Sequence, residues 1–291
     1  NGGMRSPHRA ACVRDSRAQA TGALLRLRIL KCLREDTSLL EQTVDMIQGK
    51  ALKTTPKIPK NLLKDIYNIL GVQVPTSKGI SPEIISGYCR LSGDPDNILS
   101  EWKIHGAPLG IINDVTPTGI FPPVAPADST RDPLEDIASD PRGWANYKSA
   151  EESPETIAEI LQNMVKEKWA LTCTTWAEVV SIVGSDQVTL SKLALISKQK
   201  DDGTWKHRII WDLLRSGVNS RVHQGERIIL PRVLDVAQDV LDLLKCIHPG
   251  EEIWFFGTDV SDAFHQIPLR QDEWRFTVAE FGGKYYVFTV L

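Results

Sequence analysis

The stretch Gly257-Thr258-Asp259-Val260-Ser261-Asp262-Ala263-Phe264-His265-Gln266-Ile267-Pro268-Leu269 carries the strongest pattern in this chain. It follows a short apolar run at 253–256, and we predict a β-strand over 253–260 that ends near the first aspartate. A second acid comes three residues later, followed by a small residue and an aromatic one. An isolated Asp-x-x-Asp pair usually indicates only a turn with capping roles, so its meaning depends on the sequence around it.

Two hairpins are predicted on either side of this stretch. Upstream, strands over 193–197 and 205–211 flank an Asp202-Gly203 turn. Downstream, strands over 275–281 and 284–290 flank Gly282-Gly283. The stretch therefore lies within a region of alternating strands and turns.

Helices are predicted where apolar residues recur at helical spacing. The segments are 20–47, 62–70, the segment from Ser153-Pro154 to about 168, and a segment after Pro231. In the last of these we expect an inward apolar face, formed by Leu234, Ala237, Leu241 and Leu244. Prolines interrupt 103–148 and indicate an extended arm that lies on a neighbouring surface.

Several segments, in a consistent order over roughly 150–291, resemble the reverse transcriptase family. The first resembles that family's first catalytic motif, Asp-x-x-x-Ala-Phe/Tyr, over twelve consecutive positions from Thr258. The others resemble its fingers hairpin, the Asp-x-Arg-x-Leu-Asn element, the proline before the next helix and the hairpin that leads to the next motif. In this chain the fingers hairpin corresponds to 198–210, the Asp-x-Arg-x-Leu-Asn element to 212–219 and the proline to Leu230-Pro231-Arg232. The last hairpin corresponds to 274–277 and 284–291.

This resemblance implies an α+β fold, a partial right-hand polymerase (fingers and start of the palm) preceded by a mainly helical N-terminal region. The expected divisions are a disordered basic tail at 1–20, a helical region of unknown role at 21–102, a proline-rich linker or arm at 103–150, and fingers with partial palm at 151–291. The implied reaction is template-directed nucleotidyl transfer by two metal ions. The implied partners are an RNA or DNA template-primer and dNTP, with Mg²⁺ or Mn²⁺ as the metal.

The resemblance also implies roles for the first stretch. Asp259 would be the catalytic carboxylate and, with the backbone carbonyl of Val260, a ligand of the metal ions, which prefer hard oxygen donors. Asp262 and Ala263 would lie near the triphosphate. Phe264 would be a steric gate beneath the sugar that rejects a 2′-hydroxyl; taken alone, such a residue is more often a core aromatic.

Cations of the fingers hairpin hold the incoming triphosphate in that family. Here Lys206 or Arg208 would do so, assisted by Lys198 or Lys200, since arginine binds phosphate through a bidentate fork and lysine as a point charge. Counting from the preceding tryptophan favours Lys206, whereas the Arg-Ile-Ile run favours Arg208, and we prefer Arg208. For each cation the alternative is an ordinary solvated side chain.

The aromatic and histidine residues of this region carry weaker signals. Trp205 and Trp211 could stack on nucleic-acid bases, but we expect both to pack beneath the hairpin. His223, His248 and His265 lack partners at metal-ligand spacing, so we interpret them as surface or hydrogen-bonded core residues.

The family's remaining catalytic carboxylates lie in a Tyr/Phe-x-Asp-Asp motif, which does not occur after Asp259 within these 291 residues. We therefore expect these residues alone to be a fragment that is inactive as a polymerase and does not hold the metal stably. One alternative is a non-catalytic nucleic-acid-binding module derived from a decayed retroelement polymerase. Another is an interaction protein that works through the helices of 20–70 and the proline-rich arm.

Composition is compatible with these hypotheses. The hydrophobic content of 42% and charged content of 24% are ordinary for a globular protein. A net charge of −3 argues weakly against nucleic-acid binding, but nine Lys and Arg against four Asp and Glu in 192–232 form a local basic region. Five scattered cysteines argue against a disulfide framework or a zinc site. Without a signal peptide or membrane span, an intracellular location, cytoplasm or nucleus, is expected.

Overall fold

The computed structural model describes residues 16–36, 38–39, 41–42, 59–73, 81–94, 96–124, 145–247, 250, 253, 260 and 262–290. The α-helices in these ranges are α1 (Ser16–Glu35), α2 (Lys60–Leu70), α3 (Pro82–Ser92), α4 (Ile98–His105), α5 (Lys148–Glu151), α6 (Pro154–Lys166), α7 (Trp176–Val183) and α8 (Val233–Leu244). The strands are β1 (Ala170–Cys173), β2 (Leu193–Gln199), β3 (Trp205–Trp211), β4 (Val278–Phe281) and β5 (Lys284–Phe288). Helices with small antiparallel sheets confirm the predicted α+β class.

The chain divides into two compact units. The first comprises Asn1–Ser100, Thr118–Pro122 and Ile228–Ser261, and the second comprises Glu101–Pro117, Pro123–Arg227 and Asp262–Leu291. The β2–β3 hairpin and the turn at 262–264 belong to the second unit, whereas Asp259 and Val260 belong to the first. None of the helices in the described ranges is both long and apolar enough to cross a membrane.

In the first unit, α2 confirms the helix predicted over 62–70. Leu62, Tyr67 and Leu70 are buried on one side of it. The helix ends at Gly71, whose φ of 65° is left-handed. Arg90 of α3 donates a hydrogen bond to the carbonyl of Leu70 at 2.7 Å, which satisfies one of the carbonyls that a helix end leaves unpaired.

The continuous helix predicted over 20–47 is wrong. Helix α1 begins at Ser16 and ends at Glu35. The carboxylate of Asp36 then accepts a hydrogen bond from the Leu39 N–H at 3.0 Å, so the aspartate caps a separate helical turn. Residues 43–58, over which the predicted helix would have finished, lie outside the described residues.

Helix α8 confirms the helix predicted after Pro231 but not its inward face. Leu234, Leu241 and Leu244 are 73%, 54% and 52% exposed, and no residue of α8 is buried. An amphipathic pattern fixes which side chains share a face. It does not determine whether another element covers that face.

The second unit is built on a three-stranded antiparallel sheet in the order β1-β5-β4. The β4–β5 hairpin was predicted, and β1 extends it by pairing with β5 from Ala170↔Phe288 to Cys173↔Tyr285. Five residues of this sheet have no exposed surface: Ala170, Val278, Ala279, Val287 and Phe288. The sheet is therefore the centre of the hydrophobic core.

The strand predicted to begin at residue 275 begins at Val278 instead, because Gln271–Phe276 forms a 3-10 helix. Within that helix, Glu273 is fully buried. Its carboxylate accepts hydrogen bonds from the N–H groups of Leu109, Ile111 and Ile112 at 2.5, 2.9 and 2.8 Å. The 3-10 turn directs this acid toward the proline-rich arm, which an extended strand would not do.

Within the second unit, the beginning of the arm is held by backbone contacts. Ala107 forms a bridge with Leu269. Gly106 has a φ of 86°, and a Cβ atom added there would lie 2.6 Å from the backbone nitrogen of Arg270. Only glycine permits this conformation and this approach.

The predicted β2–β3 hairpin is confirmed, in a register that runs from Leu193↔Trp211 to Gln199↔Trp205. Its inner end is buried through Leu193 and Leu195. Helix α6, which begins at Pro154 as predicted, packs Ile157, Leu161 and Met164 into the same core. Ser153 occupies the N-cap position without making a side-chain hydrogen bond.

Candidate nucleotide and nucleic-acid site

Three of the four predicted phosphate-binding residues of the hairpin share one surface, and the fourth, Lys200, lies in the turn. Lys198 pairs across the strands with Lys206, and Ile196 pairs with Arg208. Because cross-strand partners lie on the same side of a sheet and side chains alternate along a strand, Lys198, Lys206 and Arg208 project from one face. We call these three residues the cationic face.

The cationic face is open to solvent and holds unneutralised charge. All three side chains are exposed. Among the ion pairs of the described residues, none involves any of them. Lys206 and Arg208 lie two residues apart on the same side, so the choice between them does not change which surface would receive a phosphate.

The tip of the hairpin has its own hydrogen bonds. The Lys200 N–H donates to the Thr204 carbonyl at 2.8 Å, which continues the strand pairing into the turn. One carboxylate oxygen of Asp202 accepts hydrogen bonds from the N–H and hydroxyl of Thr204 at 2.9 and 2.5 Å. These bonds lower the pKa of Asp202, so this acid stays ionised and fixes the turn.

The opposite side of the outer hairpin is aromatic. Trp205 and His207 lie in near-parallel planes, with ring centroids 6.5 Å apart and an interplanar angle of 17°. The Ser197 hydroxyl is 2.8 Å from Nδ1 of His207. We call Trp205, His207 and Ser197 the aromatic face.

The two hairpin tryptophans have different environments. Trp211 packs in the core as predicted, stacked on Phe288 with centroids 4.2 Å apart. For Trp205 that prediction is wrong, because its side chain is 57% exposed. The six residue steps from Trp205 to Trp211 span about 20 Å along a strand, which carries Trp205 beyond the buried end.

The inner end of the hairpin is closed by a pair that the sequence did not reveal. The Tyr147 hydroxyl donates a hydrogen bond to the carboxylate of Asp212. Asp212 also accepts hydrogen bonds from the N–H groups of Leu214 and Arg215 at 3.1 and 2.9 Å. The hydrogen bond with Tyr147 is the main cause that lowers the pKa of Asp212 and raises that of Tyr147.

The segment after Asp259 forms a tight turn followed by a short 3-10 helix, Phe264–Gln266. Asp262 has a φ of 50°, in the left-handed region that non-glycine residues seldom adopt. The Gln266 N–H closes the turn by donating to the Asp262 carbonyl at 3.1 Å. Asp262, Ala263 and Phe264 are all exposed, Phe264 to 76%, and their roles at a substrate stay predictions.

Two residues that sequence reasoning missed hold this segment in place. Lys103 donates a hydrogen bond to the Gln266 carbonyl at 2.6 Å. Trp169 stacks on His265, with centroids 4.2 Å apart and planes 7° from parallel. Burial lowers the pKa of His265, although the charge of Asp262 acts in the opposite direction. No local pattern signals contacts over such distances in sequence.

Asp259 lies outside the described residues, as do most of the strand predicted over 253–260 and His248. Val260 is described and is 50% exposed. Within the described ranges, no three His, Cys, Asp or Glu side chains cluster so that they could hold a metal ion. The proposed metal ligands therefore stay predictions.

Comparison with known proteins gives little support beyond the residues themselves. No protein-family model matches the chain, and no curated protein matches it. One similar solved structure is described as "Structure of the foamy viral protease-reverse transcriptase in complex with dsDNA", with 14% identity and a TM-score of 0.29. The match covers 83% of this chain and 40% of that chain. A TM-score this low does not establish a shared fold.

Proposed function

We propose that this chain is part of an RNA-directed DNA polymerase. In this proposal the β2–β3 hairpin belongs to the fingers, and the turn at 262–264 follows the first catalytic strand of the palm. One observation carries the proposal: three cations that form no ion pair with any described residue share one face of the hairpin whose sequence resembles the fingers of reverse transcriptases. The motif at Asp259 follows it in the order that the family requires.

The cationic face would bind the triphosphate of the incoming nucleotide. Arg208 can make two parallel hydrogen bonds to phosphate oxygens, while Lys198 and Lys206 add charge. Hydrogen bonds between charged groups contribute about 1.5–3 kcal/mol each. The face would therefore hold the phosphates while the nucleotide pairs with a template base.

The donor atoms fit the metal that the family uses. The carboxylate of Asp259 and the carbonyl of Val260 are hard oxygen donors of the kind that Mg²⁺ and Mn²⁺ prefer. When bound, such ions stabilise the attacking and leaving oxygens in phosphoryl transfer. In the proposal Asp259 holds the metal, Phe264 lies under the sugar, and Asp262 and Ala263 line the approach of the triphosphate.

DNA synthesis on an RNA template tests this proposal. The assay uses a longer chain that contains these residues together with a Tyr/Phe-x-Asp-Asp motif. Asp259→Asn removes a negative metal ligand and is expected to abolish incorporation of dNTP. Asp186→Asn changes an exposed acid of the second unit by the same atoms and is expected to retain activity.

Unchanged incorporation by Asp259→Asn would remove this residue from the metal site. The 291-residue chain is expected to show no incorporation, so detectable synthesis by that chain would contradict the need for the additional carboxylates. Salt-dependent RNA binding by a longer chain that never incorporates dNTP would favour the non-catalytic binding module.

A further inference from the structure

The outer half of the β2–β3 hairpin has two different faces, and the proposed function uses only one. The cationic face accounts for Lys198, Lys206 and Arg208. On the other side, Trp205 is 57% exposed although its ring is large and apolar. A tryptophan side chain offers roughly 150–250 Å² of surface that is stabilised when it is covered.

Local contacts hold the aromatic face in place. The strand pair Ser197↔His207 puts the hydroxyl beside the imidazole, and their 2.8 Å contact fixes the ring. That ring lies within 17° of the plane of Trp205. The hairpin therefore presents two exposed aromatic rings in near-parallel planes, and the exposed surface of Trp205 suits a flat ligand.

The charge around the aromatic face indicates which kind of flat ligand would bind there. The outer half of the hairpin carries Lys198, Lys200, Lys206 and Arg208 against Asp201 and Asp202, and the Asp202 carboxylate is bound to Thr204. An aromatic surface within a positive field matches a ligand that combines flat rings with negative charge. Single-stranded nucleic acid has this composition, and its bases stack on aromatic side chains without sequence preference.

We propose that an unpaired base of single-stranded RNA or DNA stacks on Trp205, with its flanking phosphates near Lys200 at the hairpin tip. The inference rests on the proposed function in taking nucleic acid as the ligand. It adds a second contact on the opposite face from the triphosphate. Because the bases of a duplex are already stacked on each other, the site discriminates against double strands.

The test is binding of a fluorescently labelled single-stranded oligonucleotide to the full chain, measured by anisotropy over a series of NaCl concentrations. Trp205→Ala is expected to weaken binding about tenfold, in line with the loss of one base stack. Trp205→Phe is expected to retain most of the affinity. Tyr88→Ala removes a similarly exposed aromatic from the first unit, 47% exposed, and is expected to bind as the wild type does.

The salt dependence separates stacking from charge. Trp205→Ala removes no cation, so its plot of log K against log salt is expected to run parallel to that of the wild type. Lys200→Ala at the hairpin tip is expected to lower the slope by about 0.7, as one fewer counterion is released from a single strand. An oligonucleotide with abasic positions is expected to bind the wild type more weakly and to reduce the difference between wild type and Trp205→Ala.

Three results would overturn the inference. The first is unchanged affinity of Trp205→Ala, and the second is equal binding of normal and abasic strands by the wild type. The third is a change in self-association on Trp205→Ala, since this would show that a second copy covers the ring. If Trp205→Ala leaves the affinity unchanged while Lys200→Ala lowers the salt dependence, only the base stack is overturned. The polymerase proposal depends on the separate Asp259 assay.

Discussion

The second unit contains two antiparallel hairpins with opposite environments. In β4–β5, Val278, Ala279, Val287 and Phe288 have no exposed surface, and β1 covers one edge. In β2–β3, burial ends at Leu195, and both faces of the outer half reach solvent. The β4–β5 hairpin forms part of the core, whereas the outer half of the β2–β3 hairpin presents charged and aromatic side chains to solvent.

The difference comes from sequence pattern rather than backbone geometry. Strand β5 reads Lys-Tyr-Tyr-Val-Phe, with apolar residues on both faces, as in strands buried on both sides. Strand β3 begins Trp-Lys-His-Arg and becomes apolar only toward its end. Elements that contribute little to the core can carry residues chosen for binding, because substitutions there have small effects on stability.

The largest expected difference between the hairpins comes from removing one aromatic ring from each. Phe288→Ala deletes a fully buried ring that stacks on Trp211, and we expect it to lower the free energy of unfolding by about 3–5 kcal/mol. Trp205→Ala is expected to change it by about 0.5 kcal/mol or less. Urea denaturation followed by circular dichroism measures both; equal losses would show that the outer hairpin belongs to the core.

Two glycines, one in the arm and one in the β2–β3 turn, allow closely packed backbone to be compared with open backbone. Gly106→Ala places a Cβ atom 2.6 Å from the Arg270 nitrogen at a φ of 86°, and we expect a loss of about 2–4 kcal/mol from strain and overlap. Gly203 has a φ of 82° in the β2–β3 turn but no atom within 4 Å of an added Cβ. Gly203→Ala is therefore expected to cost only about 1 kcal/mol.

The same denaturation experiment separates the two glycine variants. If Gly203→Ala is as destabilising as Gly106→Ala, the close approach of the arm to Arg270 does not contribute. The affinity for nucleic acid is a second readout, since Gly203→Ala alters the turn that carries Lys200.

The smallest expected effect is a change in acid stability at the inner end of the β2–β3 hairpin. Hydrogen bonding to Tyr147 lowers the pKa of Asp212 in the folded state. Its contribution is therefore complete above the unfolded pKa of about 3.9 and is lost as the pH falls through the lower folded value. Tyr147→Phe removes the main cause of the lowered pKa, so it should reduce the dependence of stability on pH below about 5.

Urea midpoints of wild type and Tyr147→Phe between about pH 3 and 7 give the measurement. The two proteins should differ most at neutral pH and converge in acid. A constant difference at all pH values would mean that the hydroxyl contributes without affecting the ionisation of Asp212.

Sequence reasoning located both hairpins because turn residues and strand patterns are local signals. It also predicted α6 from Ser153-Pro154, yet it missed α3, which carries the same signals: Ser81 as the N-cap, Pro82 next and Gly93 as the left-handed end. That helix was predictable from the sequence. Strand β1 was not, since four residues forming a sheet edge depend on a partner more than a hundred positions away.

The contacts of the candidate site also divide into local ones, which the sequence predicts, and long-range ones, which it does not. Local alternation predicts that Lys198, Lys206 and Arg208 share a face once the turn is known. The bond from Lys103 to the Gln266 carbonyl and the stack of Trp169 on His265 join distant segments, and no spacing rule reveals them. The exposure of Trp205 could not be predicted from the sequence, because strand propensity does not indicate where along a hairpin the buried core ends.

The most direct test is binding of a fluorescent deoxynucleoside triphosphate to the 291-residue chain over a range of salt concentrations. The variant replaces Lys198, Lys206 and Arg208 by alanine. Its control replaces Lys64, Lys166 and Lys284, which are also exposed and carry the same total charge. We predict that the first variant loses at least about tenfold in affinity and most of the salt dependence, while the control binds as the wild type does. Equal affinity and equal salt dependence in all three proteins would contradict the assignment of the β2–β3 hairpin as a phosphate-binding element.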